Sequence, residues 1–355
     1  MVDIILKLIL LLSPIAYGAK INFDKFDLRF FEIGVMALFV GSLFDTPKRE
    51  IKDFKYPIFW LMGLITINSF WHRFQPLDIR AVESLFFGIL AFYIVTRYLK
   101  DPQGCFKYIW WALGINIAIM IFQKIGYTPI VRFTTVQGYG AFVGCEGGML
   151  GNISRFCIYL AIILPFIYLP VALALAFTFG YCMHYAQISV FIPIALMLFC
   201  RIEKKIYRYV FAVLGICSAV FLHKKIIISI LLRWNEVWKI TIDRIFERPL
   251  LGWGLGNYQL WISKESFNSY LPFIYGLGLL GAVWAGFSIK LFIKSFNGDK
   301  ESIAVAGLLL VSLIEYPFEI PRLWFTIIAI FSFFAIKAIE KGGLHGKGKS
   351  YIQGT

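Results

Sequence analysis

Apolar runs of membrane-spanning length alternate with short polar intervals along most of the chain. Runs of roughly 17–25 apolar residues with few charges read as transmembrane helices. The pattern predicts spans at 2–17, 30–44, 56–71, 81–99, 106–122, 152–168, 170–183, 187–200, 207–222, 271–292, 303–317 and 323–339. Some are short, and the two around Pro170 read as a tight hairpin. The first run resembles a signal peptide in length, but Lys7 lies inside it and no cleavage site is clear, so it is taken as a span. The expected fold is therefore an all-α integral membrane protein with about 12 transmembrane helices. Residues 1–222 hold nine spans, 223–270 form the longest polar interval, 271–340 hold three more spans, and 341–355 form a flexible polar tail.

Charge placement orients these spans. With the N-terminus in the cytoplasm, the inside loops carry Lys48, Arg49, Lys52, Lys55, Arg97, Lys100 and Lys107, then Arg201, Lys204, Lys205 and Arg208, then Lys290, Lys294 and Lys300, and the tail lysines. The short outside loops carry Lys20, Lys25, Arg29, Arg73, Arg80, Lys124, Arg132 and Arg322. The inside set is about twice as large, which predicts that both termini are cytoplasmic. The 223–270 interval then faces outward. Long segments translocate largely regardless of charge, so its Lys and Arg need another explanation.

Within that interval, residues 230–248 show helical periodicity. Trp234, Trp238, Ile242, Ile245 and Phe246 fall on one side, and Arg233, Glu236, Asp243, Arg244 and Glu247 on the other, with Ile240 an exception on the polar face. Pro249 stops the helix, since it lacks an N–H and restricts its predecessor. Such a helix lies in the membrane interface, and anchoring alone would explain its pattern. Next comes PLLGWGLGN, with Gly252, Gly254 and Gly256 alternating. It is either a structural turn or a nest of N–H groups for an anion. A second outward interval, 123–151, is rich in Gly and Thr and ends GCEGGMLGN. It is either a plain loop or irregular backbone lining a cavity, with Glu146 its notable charge.

Composition narrows the class. The chain is 59% hydrophobic and only 16% charged, which excludes a soluble enzyme. The formal charge of +14 is spread over many short loops, so membrane topology and an anionic lipid explain it better than nucleic acid. Six scattered cysteines form no CxxC pair and read as small buried hydrophobes.

Chemistry follows by elimination. The four histidines lack metal-ligand spacing, and there is no Asp-x-Asp pair, no Walker loop and no Ser/His/Asp motif. What remains is arginine beside the membrane. Guanidinium forks bind phosphate oxygens, and fixed cations stabilise a leaving pyrophosphate. Arg233, Arg244 and Arg248, with Arg132 from the earlier loop, are the candidates for a lipid-linked diphosphate. Ion pairing to Glu236 and Glu247 along the helix is the competing explanation.

At this point the sequence resembles the bacterial O-antigen ligase and polymerase superfamily. The resemblance rests on Arg233, Trp238 and Pro249–Asn257, on Asn268-Ser269-Tyr270-Leu271, on Gly278-Leu279-Leu280-Gly281, and on Gly147–Asn152 before a span. It implies a C-type membrane glycosyltransferase that transfers a glycan from undecaprenyl pyrophosphate at the periplasmic face of the bacterial inner membrane, without metal or nucleotide. The acceptor would be lipid A–core for a ligase, or a lipid-linked repeat unit for a polymerase. Arg233 takes the donor pyrophosphate in this reading. Arg132, Arg244, Arg248, Gly252, Gly254 and Asn268 complete the expected substrate site.

The chain departs from the family where ligases carry a His before Asn268: the residue is Phe267. The usual Ser-Arg pair reads Ser189-Val190. Phenylalanine cannot accept a proton, which favours a polymerase-like relative over a ligase. Three readings stay open: a polymerase-like enzyme relying on arginines, an enzyme using Glu265 or Glu146 as base, or an inactive relative. Outside the family, a lipid-linked sugar transporter or flippase is kept open by Glu32, Glu83 and Glu315 in or near spans. A non-catalytic assembly partner is the third class.

Overall fold

The computed structural model describes residues 1–13, 20–23, 26–72, 76–124, 153–181, 187–201, 234–255, 257–258, 268–313, 315, 317–319 and 323–341. These residues form twelve α-helices. They are α1 (Val2–Leu12), α2 (Phe30–Leu43), α3 (Lys52–Trp71), α4 (Pro76–Tyr98), α5 (Pro102–Lys124), α6 (Ile153–Ile163), α7 (Leu169–Tyr181), α8 (Gln187–Arg201), α9 (Lys239–Glu247), α10 (Tyr270–Ser295), α11 (Lys300–Val311) and α12 (Trp324–Glu340). Between α1 and α2, strands β1 (Lys20–Phe23) and β2 (Phe26–Arg29) pair as an antiparallel hairpin.

The expected apolar runs fall on α1–α8 and α10–α12, while the run at 207–222 lies outside the described residues. Among the described residues, three helical segments are long and apolar enough to cross a membrane: Ala81–Tyr98 in α4, Pro102–Phe122 in α5, and α10. Phe30–Leu43, Arg155–Phe166 and Ser189–Cys200 are shorter apolar helices. The chain is thus a helical protein of membrane character.

Local chemistry sets several boundaries. The Glu32 carboxylate accepts the Arg29 N–H at 2.6 Å, so a first-turn donor of α2 is satisfied. Asp299 caps α11 by accepting the Ser302 N–H at 2.9 Å. Proline is absent from the interior of α12, whose buried stripe runs from Phe325 through Ile330, Phe333 and Ile336. That stripe packs on α4, which packs in turn on α2. One continuous core joins α1, α2, α4–α8, α11 and α12. Two smaller clusters lie beside it, one around Leu61, Ile65, Leu255 and Leu277, the other around Val237, Tyr258 and Tyr275.

The two ends of the helices differ in chemistry. At one end, Arg49 pairs with Glu340 at 2.5 Å, Lys100 with Asp45 at 3.2 Å, and Lys341 with Asp299 at 3.0 Å. These contacts tie the end of α2 to the end of α4, and the start of α11 to the end of α12. At the other end, the finish of α3, the loop after α9, the start of α10 and the end of α11 meet through uncharged hydrogen bonds. The Ser269 N–H donates to the Ser312 carbonyl at 3.0 Å, and the Tyr270 hydroxyl to the Leu309 carbonyl at 3.0 Å. α3 and α10 run antiparallel, with Trp284 Nε1 donating to the Pro57 carbonyl at 2.8 Å and Asn68 touching Gly276 at the opposite end.

Candidate functional site

α9 follows a π turn over Trp234–Trp238 and ends at Arg248, before Pro249. Its buried face is Val237 and Thr241, flanked by Trp238 and Ile245. The Thr241 hydroxyl donates to the Val237 carbonyl at 2.8 Å and lies 3.2 Å from the Tyr258 hydroxyl. The expected apolar face therefore divides. Trp238 and Ile245 pack on the protein, whereas Phe246 is 74% exposed. Ile240, the expected exception, is also exposed.

The loop after α9 seats itself by backbone. Trp253 N–H donates to the Tyr275 carbonyl at 2.8 Å, Gly254 N–H to the Gly276 carbonyl at 3.1 Å, and Leu279 N–H to the Pro249 carbonyl at 2.6 Å. α10 accommodates this because it breaks at Gly278, with φ 65° and ψ −157°. The break frees backbone groups that an intact helix would use internally, and the loop takes them. Contact is too close for side chains. A Cβ on Gly252, itself at φ 66°, would lie 2.3 Å from the Tyr275 carbonyl oxygen, and one on Gly278 would lie 2.5 Å from that of Leu250. The side-chain amide of Asn68, buried at the end of α3, closes the assembly by donating to Leu251 O at 2.6 Å and Gly276 O at 2.9 Å.

On this scaffold the aromatic rings stack. Trp253 lies parallel to Tyr275 with centroids 6.2 Å apart, and Tyr258 meets Tyr275 edge-on at 5.4 Å. Trp253 Nε1 donates to the Arg244 carbonyl at 2.8 Å. The Arg248 guanidinium sits 4.1 Å above the Trp253 ring, and that of Arg244 is 5.8 Å from it. Arg244 also pairs with Glu247 at 2.8 Å, as the competing explanation required. Arg248 makes no ion pair among the described residues. Stacking engages the face of a guanidinium and leaves its in-plane N–H donors unused by that contact.

His72 closes the far side. Its ring is buried beside the Leu251 and Gly252 backbone, and Nε2 has no hydrogen-bond partner among the described residues. Burial pushes its pKa below the usual 6.5, the Arg248 charge pushes the same way, and the backbone of Gly252 and Leu251 opposes them. A neutral imidazole next to a cation is the form this setting favours.

Of the expected site residues, Arg244, Arg248, Gly252 and Gly254 come together here. Two expectations change. The N–H of Gly252 donates to the Arg248 carbonyl at 3.1 Å and that of Gly254 to Gly276, so these amides are used inside the protein and form a turn rather than an anion nest. Asn268 is also committed: its carbonyl oxygen accepts from Tyr270 N–H at 2.8 Å and Leu271 N–H at 3.1 Å, while its amide donates to Leu313 O at 2.8 Å. It caps α10 and holds it to the end of α11. Arg233, Arg132, Glu146 and Glu265 lie outside the described residues, as does Phe267.

Sequence reasoning did not find Asn68 or His72. Their signal was a polar pair four residues apart at the end of an apolar run, Asn68-x-x-x-His72, which places both on one helical face. No protein-family model matches the chain, and no curated protein matches it.

Proposed function

We propose that this chain is a metal-independent membrane glycosyltransferase of the O-antigen ligase/polymerase type, polymerase-like rather than ligase-like. It moves a glycan from undecaprenyl pyrophosphate to a saccharide acceptor, a lipid-linked repeat unit or lipid A–core, at the periplasmic face of the bacterial inner membrane. In this reading the apolar runs make twelve spans with both termini cytoplasmic, and the end carrying His72, Arg248 and Asn268 faces outward.

The observation that carries the reading is the exposed Arg248 guanidinium stacked on Trp253 at 4.1 Å, on a loop fixed by backbone to a broken helix. A cation held in this way is preorganised for developing charge on a diphosphate leaving group. Arg244 contributes less, because Glu247 already neutralises part of its charge. Arg233 and Arg132 add positive charge from the flanking segments, and Glu265 or Glu146 serves as base for the acceptor hydroxyl. Phe267 in place of the family's His favours the polymerase-like choice.

The break in α10 at Gly278 also favours a second reading, a lipid-linked sugar transporter, since discontinuous helices line transport sites. Membrane vesicles given a defined undecaprenyl-pyrophosphate glycan separate the two. Elongated or transferred glycan supports the transferase. Movement of the intact donor between leaflets with no new glycosidic bond supports the transporter.

A further inference from the structure

Between α4 and α5 the chain turns through Leu99, Lys100 and Asp101. The turn joins two segments long and apolar enough to cross a membrane, Ala81–Tyr98 and Pro102–Phe122. α4 ends and α5 begins here, so the turn lies at the membrane surface. Arg97 sits in the last turn of α4, at the same level. Its acidic neighbours are already engaged. Arg49 takes Glu340, Lys100 takes Asp45, and Glu50 has a contact of its own. Arg97 and Lys48 make no ion pair among the described residues.

Arg97 is partly buried and fixed in place. Its guanidinium lies 5.6 Å from the Tyr93 ring centre and 5.7 Å from that of Tyr98, and Nη1 donates to the Tyr93 hydroxyl. Nη2 donates to no group among the described residues. The exposed Lys48 starts from adjacent backbone, because its N–H donates to the Arg97 carbonyl at 2.9 Å. A guanidinium held by rings, with donors to spare and no carboxylate, suits the oxygens of a phosphate. Tyrosines beside a basic residue mark the headgroup level of a bilayer, where the phosphates belong to lipids. Two cations with no free acid beside them favour a head of net negative charge over a zwitterion, whose ammonium they repel.

We propose that Arg97 and Lys48 bind the phosphate of one anionic phospholipid at the turn between α4 and α5. This rests on the membrane placement of α4 and α5 and not on glycan transfer, so loss of the transferase reading leaves it standing.

The test reconstitutes the full chain in nanodiscs of equal phosphatidylglycerol, phosphatidylethanolamine and phosphatidylcholine. Lipid retained after detergent extraction is then identified by native mass spectrometry. Phosphatidylglycerol is expected to be enriched about tenfold over each of the others, as a charge-assisted hydrogen bond implies. Arg97→Gln and Lys48→Gln should each lower that ratio about fivefold in monodisperse protein, the worth of one basic residue at an anionic surface. Lys48 is exposed, so its variant decides the matter alone if Arg97→Gln does not fold. Lys239→Gln, which removes an exposed cation on α9 at the opposite end of the helices, should leave the ratio unchanged. Excess inorganic phosphate during extraction should not displace the lipid. Equal retention of the three lipids, a ratio untouched by Lys48→Gln, an equal fall in Lys239→Gln, or displacement by inorganic phosphate overturns the proposal.

Discussion

Asn68 and Gly276 are 208 residues apart in sequence and joined by a 2.9 Å hydrogen bond from the Asn68 amide to the Gly276 carbonyl. The same amide reaches Leu251 at 2.6 Å, so one buried side chain fixes α3, the loop after α9 and the break in α10. Arg248 owes its position to this three-way junction.

Replacing Asn68 with Leu tests the junction. Gly276 O keeps the Gly254 N–H, but Leu251 O loses its side-chain donor. The expected loss is about 1–3 kcal/mol, the usual cost of one buried unsatisfied group. It is read as a lowered melting temperature in detergent and faster proteolysis within 249–257. A variant as stable as the parent would show that the junction does not hold the loop.

Gly278→Ala should be far worse than Gly286→Ala. A Cβ at Gly278 meets Leu250 O at 2.5 Å with φ at +65°, whereas at Gly286 nothing lies within 4 Å. Strain and overlap together cost about 2–5 kcal/mol at the first site. At the second, alanine is neutral or slightly stabilising, because it favours helix. Thermal unfolding of the pair gives the comparison, and equal melting temperatures would contradict the break in α10.

Asp299 supplies an acid limit. Burial works against its carboxylate, but the Ser302 hydroxyl and N–H and the Lys341 ammonium win and lower its pKa from 3.8 to about 2. Because the folded value is depressed, the stabilisation is complete above 3.8 and lost as pH falls towards 2. The shift amounts to about 2 kcal/mol. Asp299→Asn should remove that part of the acid sensitivity and leave the part set by Asp45, whose pKa the N-terminal ammonium and the Val2 N–H also lower to about 2, measured as melting temperature against pH.

His72 acts in a higher range. Its depressed pKa means that an opened or unfolded site takes up a proton more readily than the folded one. The contribution is present above 6.5 and declines as pH drops below it. The protected loop around Gly252 should exchange its amide hydrogens faster as pH is lowered, after correction for intrinsic rates. His72→Gln should abolish that extra dependence.

Much of the helical frame was legible because apolar runs of sufficient length leave few alternatives. The 230–248 helix was legible from period and from Pro249, and its described part, Trp234–Glu247, has the expected end. The split of its apolar face was not, since Phe246 and Ile245 are adjacent and equally apolar in sequence, and only the position of Tyr275 decides which one is covered. The break at Gly278 was hidden for a related reason. Glycine inside an apolar run reads as tolerated helix until another strand of backbone is known to approach it. Asn268 shows the converse: its family-like position pointed to substrate, but all of its amide groups bond to α10 and α11.

The most direct test of the central claim is the envelope glycan profile of the producing bacterium with the gene deleted, then restored as parent, Arg248→Ala or Arg244→Ala. The account predicts that deletion leaves the core capped with a single repeat unit and that the parent restores long glycan. Arg248→Ala should restore roughly a hundredth or less, and Arg244→Ala substantially more, because removing one charge-stabilising donor costs about 10²–10³ in rate. Unchanged glycan on deletion, or full restoration by Arg248→Ala in protein that inserts normally, would contradict it.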